Sequence, residues 1–507
     1  MGAGPGDPGL LTQRGRELLE RADRVIYDAL VNPEILAFIR PGAEKVFAGH
    51  RGARPEDRQG HIDAGLIDGA RRGLCVVRLK GGDPFLFGRG GEEAEALAAA
   101  GVEFEVVPGI SSALAAAAYA GIPVTHRRHA SSVLIAAGHE DPARPRSRAH
   151  WEALGRGADT LVFLMVIADL GRIVRELKVH GRPESTPAAL IEWGTWPRQR
   201  TLSGTLGTLP GRARRARFAP PSVLVVGEVV RLRERIAWLE RRPLHGRRIM
   251  VTRAREQAGE LSRLLAEAGA EPVEIPALEV RPPQSWKGAD RAIEQLPSYD
   301  WILFTSVNGV DAFLARVWER GRDLRALSRA RLGAIGPATA ARLAQRGLRV
   351  ELQPQEYRAE AVLEALRGRA RGTRILIPRA RVARDLLPIE LRRREGARVD
   401  VVEVYQTRAP RTDTADLRRA LSEDRIDAVT FTSSSTVHNF VRAAGKFNLP
   451  ALMARIVVAC IGPVTADTAR SYGLKPRVLP EAYTIPALVQ ALTGFFRNSR
   501  AGTRPPK

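Results

Sequence analysis

The segment VVRLKGGDPFLFGRGGEE, residues 76–93, determines the fold class of the N-terminal half. It begins with the composition of a buried strand, continues through a glycine-rich turn and ends where a helix begins. Such a turn lets the backbone approach a ligand closely. It carries Asp83, which suits a ribose-type hydroxyl, and Arg89, which suits a carboxylate. From these residues alone, a structural turn and a binding loop both remain open.

The same alternation of short apolar segments and helical patterns continues along all 507 residues. This pattern is typical of α/β domains with mostly parallel, buried strands. The length of the chain predicts about three domains of ~150 residues each, and it also allows a fourth. The predicted strands include residues 24–27, 74–79, 104–107, 160–164, 222–226, 249–252, 301–304, 375–378 and 428–431.

The C-terminal half contains an internal repeat with a spacing of 126 or 127 residues. A unit of this length is too long for a solenoid and predicts two similar α/β lobes with a cleft. The matched pairs are IMVTRA at 249–254 with ILIPRA at 375–380, FTSVNGV at 304–310 with FTSSSTV at 431–437, IGPATA at 335–340 with IGPVTA at 461–466, and the segments that start at Tyr357 and Tyr483.

The formal net charge of +23 comes mainly from arginines scattered along helical segments, often beside acids. We interpret this charge as an Arg-rich solvated surface. The alternative, which stays open, is that the charge creates a positive electrostatic field that attracts a polyanionic substrate. Aromatic residues make up 6% of the sequence and are not interleaved with basic blocks. This composition disfavours a surface on which the bases of single-stranded nucleic acid could stack. We therefore expect no nucleic-acid partner.

Cys75 and Cys460, the two cysteines, lie far apart and supply neither a disulfide framework nor a cysteine zinc site. We expect no metal. The longest apolar stretches, such as 160–168 and 220–230, are far shorter than the ~20 residues that a membrane span needs. The N-terminal residues lack the pattern of a signal peptide. The sequence thus predicts a cytoplasmic protein with no membrane partner.

Residues 241–247 have no periodicity and are predicted to be a linker. The first domain is placed at residues 1–240, with lobes at about 1–120 and 121–240. The second is placed at 248–495. Residues 496–507 are predicted to form a disordered tail.

Five segments of the first domain, in this order, resemble the uroporphyrinogen-III C-methyltransferases of the tetrapyrrole methylase family: residues 2–12, 81–93, 107–112, 120–127 and 192–200. The resemblance implies two α/β lobes with S-adenosylmethionine bound between them. It also implies that two methyl groups are transferred to ring carbons of uroporphyrinogen III, giving precorrin-2.

Site residues are carried over by motif. Asp28 is implied as the base, and a helix-capping Asp after a strand is the alternative. His50 stands where the family has the Lys of Gly-Lys-Arg, and it could still give up a proton near neutral pH. Arg89, Glu92 and Arg127 would face the substrate carboxylates. The residues implied to line the cofactor are Pro5, Gly81, Gly82, Asp83, Leu86, Ser111, Ser112, Met165 and Gly194.

The family also has an apolar strand before Gly2, which this sequence lacks. Either upstream residues encode the strand or the first lobe lacks a central strand, and we favour the former. Residues 2–7, GAGPGD, are a poor nicotinamide fingerprint because the third glycine and a preceding strand are both missing.

The C-terminal half resembles uroporphyrinogen-III synthase through residues 304–310, 404–407 and 431–437 together with the two IGPxTA motifs. The resemblance implies two lobes joined by a two-stranded connection. Lobe one would comprise about 248–280 plus 409–495, and lobe two about 281–408. The implied reaction closes hydroxymethylbilane, with inversion of the last pyrrole ring, and needs no cofactor.

Tyr405 is the candidate to assist departure of the leaving group in this synthase reaction. The candidates for binding the substrate are Ser306, Thr339, Thr432, Ser433 and Thr465. A turn or helix-cap role is the alternative for each of them. The expected partners are small-molecule polycarboxylate tetrapyrroles, and a homodimer is left open.

Two alternative functions stay open. The first domain could be another tetrapyrrole methylase or an RNA methylase, against which Arg89, Glu92, Arg127 and the fused second half argue. The second half could be a non-catalytic two-lobed module that binds an anion. The sequence does not decide between a sirohaem and a cobalamin pathway.

Overall fold

The computed structural model describes residues 1–49, 55–138, 151–252, 255–275, 279–354, 359–381, 385–408, 414–422, 425–445 and 448–501. These residues form four β-sheets flanked by helices, so the predicted α/β class is confirmed. The chain divides into two compact units. The N-terminal unit comprises Met1–Ile249, Arg263–Pro272 and Thr493–Lys507, and the C-terminal unit comprises Met250–Ser262 and Val273–Leu492.

The first lobe of the N-terminal unit is a small parallel sheet with strand order β2-β1-β3. Its strands are β1 (Arg24–Tyr27), β2 (Glu44–Phe47) and β3 (Val76–Leu79), and its helices are α1 (Gln13–Arg21), α2 (Pro55–Arg71) and α3 (Gly90–Ala99). Val77 and Leu79 point into the core because alternate residues of a strand share a face. Because the three strands are parallel, their carboxyl ends lie at the same edge of the sheet.

No regular strand precedes Gly2 among the described residues, although residues 1–4 continue the backbone pairing beyond β3. The amide of Lys80 donates to Met1 O at 3.1 Å and the amide of Ala3 donates to Lys80 O at 2.7 Å. The prediction of a strand at 104–107 is wrong. A strand forms where a neighbouring backbone supplies a ladder of hydrogen bonds, whereas Val107 O accepts from Gly2 N and residues 103–106 are largely exposed.

The second lobe has strand order β4-β5-β8-β6-β7, which is mixed rather than mostly parallel. Only β4 and β5 pair in parallel; the other three pairs are antiparallel. Every residue of β6 and β8 is buried, as their continuous apolar runs predict. The elements are β4 (Val133–Ala137), β5 (Thr160–Leu164), β6 (Pro187–Glu192), β7 (Arg200–Thr205) and β8 (Ser222–Val226), with α4 (Ser112–Tyr119), α5 (Trp151–Arg156), α6 (Leu170–Val179), α7 (Leu209–Arg215) and α8 (Arg233–Ile236).

The second half of the chain contributes ten strands among the described residues. They are β9 (Arg248–Val251), β10 (Glu271–Glu274), β11 (Glu279–Arg281), β12 (Trp301–Phe304), β13 (Arg331–Ala334), β14 (Arg374–Ala380), β15 (Arg398–Arg408), β16 (Ala428–Phe431), β17 (Val457–Cys460) and β18 (Pro476–Val478). The helices are α9 (Arg255–Glu267), α10 (Lys287–Glu294), α11 (Val307–Glu319), α12 (Pro337–Gln345), α13 (Ala359–Ala365), α14 (Leu386–Glu395), α15 (Thr414–Ser422), α16 (Ser434–Ala444), α17 (Leu449–Leu452), α18 (Pro463–Ser471) and α19 (Ile485–Ala501).

These strands form two sheets, and each sheet mixes the two copies of the sequence repeat. One has the order β10-β9-β16-β17-β18 and the other β11-β15-β14-β12-β13. The first two strands of each copy, β9 with β10 and β14 with β15, lie in the sheet whose three remaining strands all come from the other copy. Because the copies are alike, this exchange leaves both sheets with equivalent parts.

Helix α19 corrects the predicted tail. It continues to Ala501, although we predicted disorder from residue 496. Leu488, Leu492 and Phe496 are all buried, so the apolar stripe of the helix extends past the predicted boundary. The domain bounds, including the linker at 241–247, remain predictions. Among the described residues, none of the helices combines the length and the apolar composition required to cross a membrane.

Candidate functional site

A cavity of about 780 Å³ lies between the two lobes of the N-terminal unit. This volume is in the range of small-molecule sites. All nine residues predicted to line the cofactor contribute to its wall: Pro5, Gly81, Gly82, Asp83, Leu86, Ser111, Ser112, Met165 and Gly194. The structure thus brings together residues from widely separated segments of the sequence.

Glycines are required where the glycine-rich turn of the first lobe meets the loop that contains Gly109. Gly82 has φ +71°, which favours glycine. A Cβ on Gly109 would lie 2.7 Å from Gly2 Cα and closer still to Gly82 O. Asp83 holds this arrangement, since its Oδ1 accepts from Phe85 N at 2.8 Å and its Oδ2 accepts from Gly109 N at 2.9 Å. Each carboxylate oxygen keeps a further lone pair for a ligand.

The second lobe contributes two tryptophans that we did not predict. Trp193 and Trp196 line the cavity, and the Arg198 guanidinium lies 3.6 Å and 4.9 Å from their ring centroids. Trp193 and Met165 both have positive φ, as strained residues at functional sites often do. A Cβ on Gly6 would overlap the Trp196 indole, so a glycine is required there. The aromatic pair in EWGTWPRQR, residues 192–200, was the available sequence signal.

Asp28 follows β1, and its neighbours Ala29 and Leu30 line the cavity. Its Oδ1 accepts from Arg78 Nη2 at 2.6 Å, and about a third of its side chain is exposed. The helix-capping alternative is wrong because Asn32 caps the short 3-10 helix that follows. The carboxylate is instead partly exposed, next to the two residues that line the cavity, and is not itself part of the cavity wall.

A buried ion cluster that the sequence reasoning missed lies behind Asp28. Glu93 Oε1 accepts from Arg78 Nε at 3.1 Å and from Lys80 Nζ at 2.7 Å. Burial acts to raise the pKa of Glu93, but the two cations outweigh it and hold that pKa below its usual value. The sequence signal was the pair Arg78 and Lys80, one in strand β3 and one directly after it, at a spacing of two that places both on one face.

The three residues predicted to face substrate carboxylates lie outside the cavity wall. Arg89 Nε is 3.4 Å from Glu92 Oε1, and both side chains are about half exposed. Arg127 is exposed within the turn closed by the His126–Ala130 bridge. The structure therefore pairs Arg89 with Glu92 but does not bring Arg127 to them by any described contact. His50 lies outside the described residues.

In the C-terminal unit, Ser306 and Tyr405 meet. Ser306 Oγ lies 3.0 Å from the Tyr405 hydroxyl and also accepts from Gly309 N at the start of α11. Tyr405 is only 8% exposed, and this burial raises the pKa of its phenol, although the bond with Ser306 acts in the opposite direction. Ser306 is thus both a helix cap and a partner of the candidate catalytic group.

The other predicted hydroxyls lie in equivalent places of the two sheets. Ser433 caps α16 with a capping box, as the cap alternative predicts, and Thr432 precedes it. Thr339 and Thr465 lie in the first turns of α12 and α18 and are each 5% exposed. All four follow the carboxyl ends of parallel strands, where ligands of α/β sheets bind.

The fold and the cavity define an α/β enzyme with a small-molecule site in one unit and a duplicated architecture in the other. Residues 1–210 match the family of Tetrapyrrole (Corrin/Porphyrin) Methylases, and residues 259–490 match Uroporphyrinogen-III synthase HemD. The chain belongs to these two families, one in each half. It is a bifunctional enzyme of tetrapyrrole biosynthesis, a methyltransferase joined to a synthase, so the prediction from the sequence is confirmed.

Individual relatives agree with this assignment. Porphyrin biosynthesis protein HemD of Ruminiclostridium josui is 38% identical over 97% of this chain and 96% of its own length. Uroporphyrinogen-III C-methyltransferase of Bacillus subtilis (strain 168) is 38% identical over 70% of this chain and 72% of its own. Siroheme synthase of Stutzerimonas stutzeri (strain A1501) is 49% identical over 49% of this chain. The aligned part corresponds to 53% of that protein's length.

Among solved structures, a uroporphyrin III C-methyl transferase from Thermus thermophilus complexed with S-adenyl homocysteine is 37% identical. It covers 46% of this chain and 97% of its own, with a TM-score of 0.40.

Proposed function

We propose that the C-terminal half closes hydroxymethylbilane to uroporphyrinogen III, and that the N-terminal half methylates this product twice with S-adenosylmethionine to give precorrin-2. The observation that carries the methyltransferase proposal is the cavity whose wall contains all nine motif residues. The order of the reactions supports the fusion, since one half makes what the other consumes.

The cavity fits S-adenosylmethionine in size and lining. Gly81 and Gly82 leave the backbone open to close approach, Leu86 and Met165 offer apolar surface, and the Ser111 hydroxyl lies at the start of a helix. When bound, the cofactor supplies a methyl group that is already activated by the sulfonium charge. The protein therefore has to align the attacking ring carbon and exclude water.

Asp28 is proposed to accept the proton that the substrate releases. Its carboxylate is held by Arg78 at 2.6 Å and is reachable from solvent beside the cavity. A base must come within hydrogen-bonding reach of the proton it takes, and the proposal is supported by the position of Asp28 directly before Ala29 and Leu30, which line the cavity. His50 is proposed as a proton donor on its sequence position.

Arg89 and Arg127 are proposed to bind substrate carboxylates. Their exposure keeps the guanidinium groups available, and an exposed pair such as Arg89 with Glu92 is worth only about 0–1 kcal/mol. Arg89 can therefore exchange Glu92 for a substrate carboxylate at little cost. Bidentate pairing with carboxylates is the geometry that arginine favours.

The synthase half is proposed to act without a cofactor through Tyr405. A phenol with a raised pKa stays protonated and can donate to the departing hydroxide, and Ser306 at 3.0 Å orients it. The amino ends of α11, α12, α16 and α18 lie beside the predicted hydroxyls and suit the binding of substrate carboxylates.

The test incubates the full chain with hydroxymethylbilane, first without and then with labelled S-adenosylmethionine. We expect uroporphyrinogen III in the first reaction and a doubly labelled tetrapyrrole in the second. Formation of uroporphyrinogen I alone, as in the spontaneous reaction, would refute the synthase proposal. Label that stays with the cofactor, or that enters rRNA in a parallel reaction, would refute the methyltransferase proposal.

A further inference from the structure

All three nitrogens of the Arg78 guanidinium donate hydrogen bonds. Nη2 donates to Asp28 at 2.6 Å, Nε donates to Glu93 at 3.1 Å, and Nη1 donates to the carbonyls of Ile26 and Leu79, each at 3.3 Å. The side chain is 10% exposed. A planar fork with so many fixed partners has little freedom to move.

The four charged groups form one neutral set, which we call the β3 cluster: Asp28, Arg78, Lys80 and Glu93. Lys80 and Glu93 are each 6% exposed, whereas Asp28 is 32% exposed. Only one member of the cluster, Asp28, thus reaches solvent to an appreciable extent. The buried members cannot exchange partners without leaving a charge unpaired, which is costly in the interior.

Resting on the role of Asp28 in the proposed function, we propose that Arg78 is the positioning residue of the methyltransferase site. It connects Asp28, at the end of β1, to Glu93, on α3, and thereby fixes the carboxylate that directly precedes the cavity-lining residues Ala29 and Leu30. Glu93 in turn holds the guanidinium in place, and Lys80 balances the second charge of the cluster.

A lysine at position 78 could not perform this task fully. Its ammonium is a point charge on a flexible stem, whereas the arginine fork reaches two carboxylates on different elements at once. We therefore expect Arg78→Lys to keep the charge but lose part of the alignment. Arg78→Met removes both.

The test measures methyl transfer by the full chain carrying Arg78→Met, Arg78→Lys or Asp28→Asn. For Arg78→Met we expect kcat to fall by roughly 100-fold, the effect of about 1 Å of misplacement. The KM for uroporphyrinogen III and the Kd for S-adenosylhomocysteine should stay within about twofold, since Arg78 lines no wall of the 780 Å³ cavity. Arg78→Lys should recover part of the loss.

The decisive measurement is the double variant Asp28→Asn with Arg78→Met. If Arg78 acts through Asp28, the double variant loses no more kcat than Asp28→Asn alone, because contacting residues with one task are not additive. Additive losses, or an unchanged kcat in Arg78→Met, would overturn the proposal. Full methylation by Asp28→Asn would instead remove the proposed base and with it the premise.

Arg24→Met is the matched control. Arg24 lies on β1, is 11% exposed and pairs with Glu44 and Asp68, away from Asp28. It should lose comparable stability with kcat unchanged. If Arg78→Met does not fold, as judged by S-adenosylhomocysteine binding, the Arg78→Lys variant decides: a fall in kcat at unchanged KM supports the proposal, and wild-type kcat overturns it.

Discussion

Gly109→Ala is the sharpest test of the cavity in the N-terminal unit. The added methyl group would lie 2.7 Å from Gly2 Cα and closer still to Gly82 O, whereas ordinary contact begins at 3.4 Å. Backbone atoms cannot rotate away as a side chain can. The two loops must therefore separate by about 0.7 Å or more, and the bond from Gly109 N to Asp83 at 2.9 Å is strained with them.

The expected loss follows from that displacement. Overpacking of this kind costs about 1–3 kcal/mol. Gly82 lines the cavity, so the separation also widens the site. A misplacement near 1 Å costs roughly 100-fold in rate. We expect the Kd for S-adenosylhomocysteine to rise at least about tenfold, since 1.4 kcal/mol corresponds to that factor.

The assay is calorimetric titration of the full chain with S-adenosylhomocysteine, accompanied by the synthase rate as a readout of the other half. Gly60→Ala is the control, because no atom lies within 4 Å of the added Cβ and alanine favours the helix. It should bind normally and unfold at the same or a slightly higher temperature. Wild-type affinity in Gly109→Ala would show that the two loops accommodate a Cβ at this position without opening the cavity.

Three further outcomes are expected. Tyr405→Phe should lower the synthase rate by roughly 10²–10⁴-fold, the range for loss of a general acid, and an unchanged rate in the variant would exclude Tyr405. Because burial raises the pKa of Tyr405, deprotonation of this phenol should not lower the wild-type rate as the pH rises toward ~10. Arg89→Ala should raise the KM for uroporphyrinogen III several-fold while leaving S-adenosylhomocysteine binding intact, whereas weakened cofactor binding would contradict a substrate role. Because the pKa of Glu93 is lowered in the folded state, its stabilisation is present above the unfolded value of ~4.3 and is lost as pH falls through the folded value. The melting temperature of Glu93→Gln should therefore depend less on pH between 5 and 3 than that of wild type, and parallel curves would show that Glu93 is not the group responsible.

The α/β class and the repeat follow from strand and helix periodicity and from internal similarity in the sequence. The nine residues predicted to line the cofactor were implied by the resemblance to the tetrapyrrole methylases, and several of them lie in a glycine-rich turn between a strand and a helix. Such turns lie at the carboxyl ends of strands whatever the order of the strands in the sheet, so a motif places its residues on the correct edge.

Long-range packing sets which distant segments become neighbours. The exchange of β9 and β10 with β14 and β15 between the two sheets was implied only by the resemblance to uroporphyrinogen-III synthase, which groups 248–280 with 409–495. The repeat alone does not show it, because similar copies can pair within or between themselves. Likewise, residues 104–107 have a strand-like composition but lack a ladder partner. The links from Arg78 to Asp28 and to Glu93 join residues 50 and 15 positions apart. Ion pairs and strand pairs are formed by long-range packing, and no local pattern specifies their partners.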